Sequence, residues 1–185
     1  MKGIEKVVAE AKSVILNVGA FIANERVAFD QSRVETKGRN DMVSYVDKTA
    51  EQMLVSGLKE ILPDSGFLTE EETIKQELKP YTWIIDPLDG TTNFVHNLPI
   101  YAISIGLLLE EELVAGMVYE INRKEFFSAI KGKGAWLNGN KIEVSHAQTM
   151  LESLVATGFP VKEFQYLDAY LSVLREIVQN SHGIR

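Results

Sequence analysis

The sequence predicts an α+β fold in which long helices pack on a largely antiparallel sheet, and three features carry that expectation. Apolar residues recur at helical spacing between Ile4 and Phe29, a second helical pattern runs up to Pro63, and from Tyr101 to Val144 apolar runs are separated by polar turns. With 185 residues, 45% of them hydrophobic, the chain is long enough to bury one substantial core.

Taken in order, Ile4, Val7, Val8, Ala11, Val14, Ile15, Val18 and Ile22 mark an amphipathic helix with one buried face. Residues 30–44 are polar, contain Gly38 and Asn40, and read as a mobile loop. A second helix is expected from about Tyr45 to Ile61, stopped by Pro63. Phe67 and Leu68 suggest a strand entering a loop that carries the acidic run Glu70, Glu71, Glu72. Trp83, Ile84 and Ile85 read as a short buried strand that leaves the sheet at Asp86-Pro87, because proline cannot donate to the ladder. YAISIGLLL, LVAGMVYE and EFFSAI are then three strands of an antiparallel meander, with polar turns at 110–112 and 121–124. The GKG tract at 132–134 and Asn138-Gly139 predict a further reversal into KIEVS. LVATGFP reads as a strand ending at Pro160, and residues 164–179 as a last helix with Leu167, Tyr170, Leu171, Leu174, Ile177 and Val178 on its apolar face.

Composition excludes several function classes. The formal net charge of -7 argues against a protein that grips a nucleic-acid backbone with Lys and Arg, so no nucleic-acid partner is expected. A small anionic substrate would need metal cations or local dipoles to hold it. The chain has no cysteine, which removes disulfides, thiolate nucleophiles and Cys-ligated zinc and is compatible with a cytoplasmic location. MKGIEKVVAEAK lacks the continuous apolar core of a signal peptide. No run approaches the roughly 20 apolar residues of a membrane span.

The densest polar chemistry comes directly after the buried strand at 83–85. In Asp86-Pro87-Leu88-Asp89-Gly90-Thr91-Thr92 two carboxylates are held by a stiff proline and followed by a glycine and two hydroxyl residues. Hard cations such as magnesium prefer oxygen ligands and keep several waters, so two or three carboxylates plus a carbonyl suffice for a site. Gly90 permits close backbone approach, and a helical turn opening at 90–94 would face its amides toward an anion. The same residue types also make an ordinary surface turn.

WIIDPLDGTTNFVH resembles, nearly residue for residue, the signature of the inositol monophosphatase family. DMVSYVD (41–47), GFLTEEET (66–73) and ATGFP (156–160) resemble further segments of that family in the same order. The resemblance implies the amino-terminal part of a layered αβαβα sandwich of the inositol-monophosphatase/fructose-bisphosphatase type. Residues 1–160 would form a helix-plus-antiparallel-sheet domain carrying the metal site, and 161–185 the start of a second α/β part. It also implies magnesium-dependent hydrolysis of a phosphate monoester, with two or three Mg2+ ions. Glu70, Asp86 and the carbonyl of Leu88 would hold one ion, and Asp86 with Asp89 a second. Thr91 and Asp47 would orient the attacking water, and Asp89, Gly90, Thr91 and Thr92 would meet the substrate. Metals that lower the pKa of water and neutralise phosphate charge make a covalent nucleophile unnecessary.

The bland readings stand beside these. Asp47 also suits a helix cap, Glu71 and Glu72 an exposed charge run, Thr92 a cap, Lys37 a surface lysine and His96 a structural role. His146 and His182 have no partner pattern, and Trp83 and Trp136 read as packing. The family's Trp-Asp-Ala-Ala-Gly-like segment, which would complete the second metal site, is not among these residues, so low or no phosphatase activity is expected of the 185-residue chain by itself. TTNF at 91–94, in place of the lysine-bearing variant of the family's nucleotide-phosphate branch, favours the sugar-phosphate or inositol-phosphate branch. Inositol monophosphate is the substrate expected, and a broader sugar-phosphatase or fructose-bisphosphatase activity, which the signature does not separate from it, is the alternative. The family also contains members that bind transcription machinery independently of catalysis, so a regulatory binding protein is a third reading. Family members are commonly homodimers.

Overall fold

The computed structural model describes residues 3–29, 34–38, 41–159 and 164–185, with side chains outside 34–38 and 41–43. Helix α1 (Ile4–Val27) buries Val7, Val8, Ala11, Ile15, Val18, Gly19 and Ile22, the stripe that its apolar spacing foretells. By length and composition α1 is apolar enough to cross a membrane, a property that counting consecutive apolar residues missed; its stripe is part of the core. Gly19 lets the helix approach the sheet closely, since a Cβ there would come within 2.5 Å of the Tyr119 ring.

The segment read as a loop contains two short strands, β1 (Val34–Gly38) and β2 (Asp41–Ser44), paired as a two-stranded sheet. Polar composition hid them, because so short a ribbon has no apolar run to announce it. Lys37 lies in β1, and its side chain lies outside the described residues. Helix α2 (Tyr45–Ile61) starts and stops where the sequence indicates: Ser44 and Asp47 form a capping box, and Leu62 precedes Pro63. Val46, Ala50, Leu54, Leu58 and Ile61 give it a buried face.

Seven strands form the main sheet: β3 (Gly66–Thr69), β4 (Tyr81–Asp89), β5 (Ala102–Leu109), β6 (Glu112–Glu120), β7 (Glu125–Ile130), β8 (Gly134–Leu137) and β9 (Asn140–Ile142), in sequence order. Only β3 and β4 run parallel; every later pair is antiparallel. Alternation divides the strands between two faces. Trp83 and Ile85, Ile103, Ile105 and Leu107, and Ala115, Met117 and Tyr119 are buried with the helix stripes, whereas Ile84, Leu113 and Val118 are exposed. Glu110 and Glu111 both take left-handed φ (51° and 69°), as do Asn138 and Gly139 (49° and 86°), so both reversals twist as hairpin turns require.

The chain forms two compact units, one from residues up to Lys37 and from Asp41 to Ile142, the other from Glu143 to Arg185 with Gly38. In the second, LVATGFP yields only the two-residue strand β10 (Leu154–Val155), parallel to β11 (Gly183–Ile184). Helix α4 (Leu167–Asn180) follows a 3-10 turn at Phe164–Tyr166 and buries none of its residues.

Candidate functional site

The strand that delivers the acidic motif does not stop at Pro87. β4 continues to Asp89, with a register break between Asp86, opposite Ser104, and Asp89, opposite Ala102. Pro87 and Leu88 together oppose the single residue Ile103, which is a β-bulge. The extra residue absorbs proline's missing donor and re-aims the side chains beyond it. Without it, residues three apart would point to opposite faces of the sheet; with it, Asp86 and Asp89 share one. Leu88 N–H donates to Asp86 Oδ1 at 3.1 Å, fixing the turn.

After the bulge, Gly90 adopts a left-handed φ of 96° and caps the short helix α3 (Thr91–Val95). A side chain there would be strained and crowded, its Cβ 3.1 Å from the Ile100 carbonyl oxygen. The cap role considered for Thr92 therefore belongs to Gly90. Thr91 Oγ1 lies 2.8 Å from Asp47 Oδ1 and 3.0 Å from the Leu88 carbonyl oxygen, with one proton to donate between them. When Asp47 receives it, the lone pairs of Thr91 remain to accept from a water.

Asp47 is buried at 1% exposure and serves two ends. Its Oδ2 accepts from the Ser44 amide (2.8 Å) and the Ser44 hydroxyl (2.6 Å), closing the capping box, and its Oδ1 accepts from Thr91. The cap on α2 and the contact with Thr91 thus use the two oxygens of one carboxylate. At the other end of α3, Arg26 Nη1 donates to the Phe94 carbonyl at 2.7 Å, with its guanidinium over the rings of Phe29 and Phe94.

Glu70 leaves the end of β3, beside β4. Its amide donates to the Ile85 carbonyl at 3.1 Å. Its side chain meets Asp86, whose carboxyl is pushed from the ordinary 3.8 up to about 8, first by burial, then by the hydrogen bond and charge of Glu70 and by the charge of Asp89; the Leu88 amide acts the other way. Glu70 and Asp86 also border an open groove of about 850 Å³, lined further by Ile84, Met117 and Trp136 among others.

A proton or a cation must relieve this crowding of carboxylates. The donor set is all oxygen, the chemistry that hard cations prefer. Among the described residues no three His, Asp or Glu side chains form a ready-made cage. Magnesium does not need one, since it commonly keeps several waters and takes one or two carboxylates. The residues fit such an ion.

Of the residues singled out in the sequence, Asp47, Thr91 and the Leu88 carbonyl are joined by hydrogen bonds, and Glu70, Asp86 and Asp89 by their mutual electrostatic influence. Thr92 is exposed, one residue along α3. His96 is exposed at the end of α3, and His146 and His182 are exposed in the second unit. Two residues near the site escaped sequence reasoning. Gln76 receives the Thr69 amide at 2.8 Å, and Glu51, fully buried, receives amides of the Glu70 loop. An acidic residue inside the apolar stripe of α2 was the available signal for Glu51.

The family model described as "Inositol monophosphatase family" matches residues 4–175. The chain is 32% identical over 185 residues to the fructose-1,6-bisphosphatase/inositol-1-monophosphatase of Aquifex aeolicus, covering 100% of this chain and 70% of that protein. It is 36% identical over 171 residues to the Nus factor SuhB of Escherichia coli K12, covering 90% of this chain and 63% of that protein. The crystal structure of the extragenic suppressor protein SuhB from Bartonella henselae superposes with a TM-score of 0.88 at 33% identity, over 97% of this chain and 69% of that one. The signature around Asp86 and the helix-on-sheet frame that presents it lead to one conclusion, that the chain belongs to the inositol monophosphatase family.

Proposed function

We propose that the site serves magnesium-dependent hydrolysis of a phosphate monoester, with inositol monophosphate as the favoured substrate. The observation that carries this reading is the bulge at Pro87-Leu88, which turns Asp86 and Asp89 to one face, where Glu70, just past the end of the neighbouring strand β3, meets Asp86. Glu70, Asp86 and the Leu88 carbonyl would hold one ion, and Asp86 with Asp89 a second. Bound there, magnesium supplies charge neutralisation for the phosphate and a lowered pKa for water.

The chain's own residues do the positioning. Asp47 accepts the hydrogen bond that the Thr91 hydroxyl donates, so that the Thr91 oxygen is free to accept from the attacking water and align it. The Gly90 and Thr91 amides, at the start of α3 where helix geometry provides no intrahelical acceptor, receive phosphate oxygens. Gly90 keeps that approach open.

A second reading is a regulatory protein that binds other macromolecules, supported by the likeness to a relative named as a Nus factor. Because the chain spans 63% to 70% of the lengths of these relatives, hydrolysis is tested on the chain itself and on a version lengthened with the carboxy-terminal residues of the Aquifex aeolicus relative. Phosphate release from inositol monophosphate and from fructose bisphosphate is measured with and without magnesium. Magnesium-dependent release by the lengthened form, with inositol monophosphate preferred, is the expected result. A preference for fructose bisphosphate would move the assignment to that substrate, and no release from either would favour the regulatory reading.

A further inference from the structure

Glu51 lies on α2 one turn beyond Asp47, and both carboxylates are buried, with 0% and 1% exposure. Its neighbours along the helix, Ala50, Leu54 and Val55, are core residues. Burying a carboxylate is costly unless its oxygens find donors, and the donors described for Glu51 come from one short loop. The Glu71 amide donates to Oε2 at 2.7 Å, and the amide and hydroxyl of Thr73 donate to Oε1 at 2.7 and 2.6 Å. Between these two residues Glu72 takes a left-handed φ of 51°, uncommon outside glycine. This turn lets the amides on either side of Glu72 converge on a single acceptor, the pattern of a backbone anion nest.

The immediately preceding residue is Glu70. Its amide is held by the Ile85 carbonyl at 3.1 Å, and the Thr69 amide by Gln76 at 2.8 Å. Glu51 therefore supplies the restraint on the far side of Glu70. Asp47 restrains the other ligand-bearing segment through Thr91 and its contact with the Leu88 carbonyl. The two carboxylates are four residues apart, on one helical face.

We propose that Glu51 is a positioning residue of the candidate metal site: by holding the amides of Glu71 and Thr73 it fixes loop 70–73 so that the Glu70 carboxylate stays against Asp86. The proposal rests on reading Glu70 and Asp86 as ligands of a divalent cation. A ligand-supporting contact of this kind commonly changes metal affinity by about 10- to 100-fold.

The test uses Mn2+ as the probe and the 185-residue chain, with affinity read by electron paramagnetic resonance of free Mn2+ and loop order by hydrogen exchange of residues 69–76. Glu51→Gln replaces one acceptor oxygen by an NH2 group that faces a donor. It should weaken Mn2+ binding about 10-fold or more and speed exchange of 69–76, with the circular dichroism of the native chain retained. If that variant does not fold, Thr73→Val removes only the hydroxyl donor and should weaken binding by about threefold, the cost of one hydrogen bond. Glu70→Gln serves as the control on the underlying reading. If the unaltered chain takes up no Mn2+, or Glu70→Gln binds it as tightly as the unaltered chain, the metal reading fails and the proposal with it. If Glu70→Gln weakens binding while Glu51→Gln, or Thr73→Val in its place, binds normally, Glu51 holds the fold alone and the proposal is overturned.

Discussion

Asp47 and Thr91 stand 44 positions apart in the sequence, yet Thr91 Oγ1 lies 2.8 Å from Asp47 Oδ1. The contact joins the first turn of α2 to the first residue of α3, and makes a helix cap into part of a candidate catalytic site. Removing the hydroxyl by Thr91→Val should lower the rate of phosphate release by about 10²–10³-fold, within the range typical of a lost proton-handling group. It should also cost about 1–3 kcal/mol, because a buried acceptor on Asp47 loses its partner. Thr91→Ser, which keeps the hydroxyl, should stay within several-fold of the unaltered rate. Steady-state kinetics and thermal melts on both variants check this; equal rates for Thr91→Val and Thr91→Ser would remove Thr91 from the mechanism.

The crowding of Asp86 gives a pH dependence with a definite sign. In the metal-free chain its carboxyl titrates near 8, far above the ordinary 3.8. The folded state therefore binds this proton more tightly than the unfolded state, so its contribution to stability is complete below about pH 4 and is lost as pH rises toward 8. Magnesium requires the ionised form, so binding at pH 7 should release close to one proton, and at pH 9.5 almost none. Isothermal titration calorimetry in buffers of different ionisation enthalpy measures the number released. Release that stays unchanged between pH 7 and 9.5 would contradict this coupling.

Glu70→Gln should separate stability from function. It removes one of the charges that oppose ionisation of Asp86, and so should stabilise the metal-free chain at pH 8–9 by about 1 kcal/mol, a rise of about 2–4 °C in Tm. The same change should largely abolish the stabilisation by magnesium. Melting curves at pH 8.5 with and without the ion would reveal both effects; a lower Tm without metal would mean that Glu70 supports the fold through contacts other than this repulsion.

Gly90→Ala tests whether the turn before α3 must be left-handed. With φ at 96° and the new Cβ 3.1 Å from the Ile100 carbonyl oxygen, the substitution should cost about 1–3 kcal/mol. Any relaxation would shift Thr91 away from Asp47, so the rate of phosphate release should fall together with Tm. Ala at Gly132, where φ is 73° and no atom lies within 4 Å of the Cβ, should lower Tm without touching the rate.

Helices α1 and α2 and the meander were legible in the sequence because their apolar spacing is long and regular: Val7 to Ile22 repeats at helical period, and Ile103, Ile105 and Leu107 alternate. The acidic motif was legible because its residue types are concentrated in one short segment. The continuation of β4 past Pro87 was not, since a proline after a buried run signals a stop and nothing local reveals that Leu88 shares a bulge with it opposite Ile103. Glu51 was hidden for a related reason. Its meaning lies in amides 20 and 22 residues later, and backbone donors leave no trace in a side-chain pattern. β1 and β2 were missed because their pairing rests on backbone hydrogen bonds between short polar segments.

Phosphate release from inositol monophosphate by the lengthened form, compared between the unaltered protein and Asp86→Asn across a magnesium titration, tests the central claim most directly. Asp86 is the one residue assigned to both ions. The expected result is a rate that rises with magnesium, vanishes with chelator, and falls by at least about 10³-fold in Asp86→Asn, the scale of losing a metal's charge stabilisation. Equal, magnesium-independent release by both proteins would contradict it.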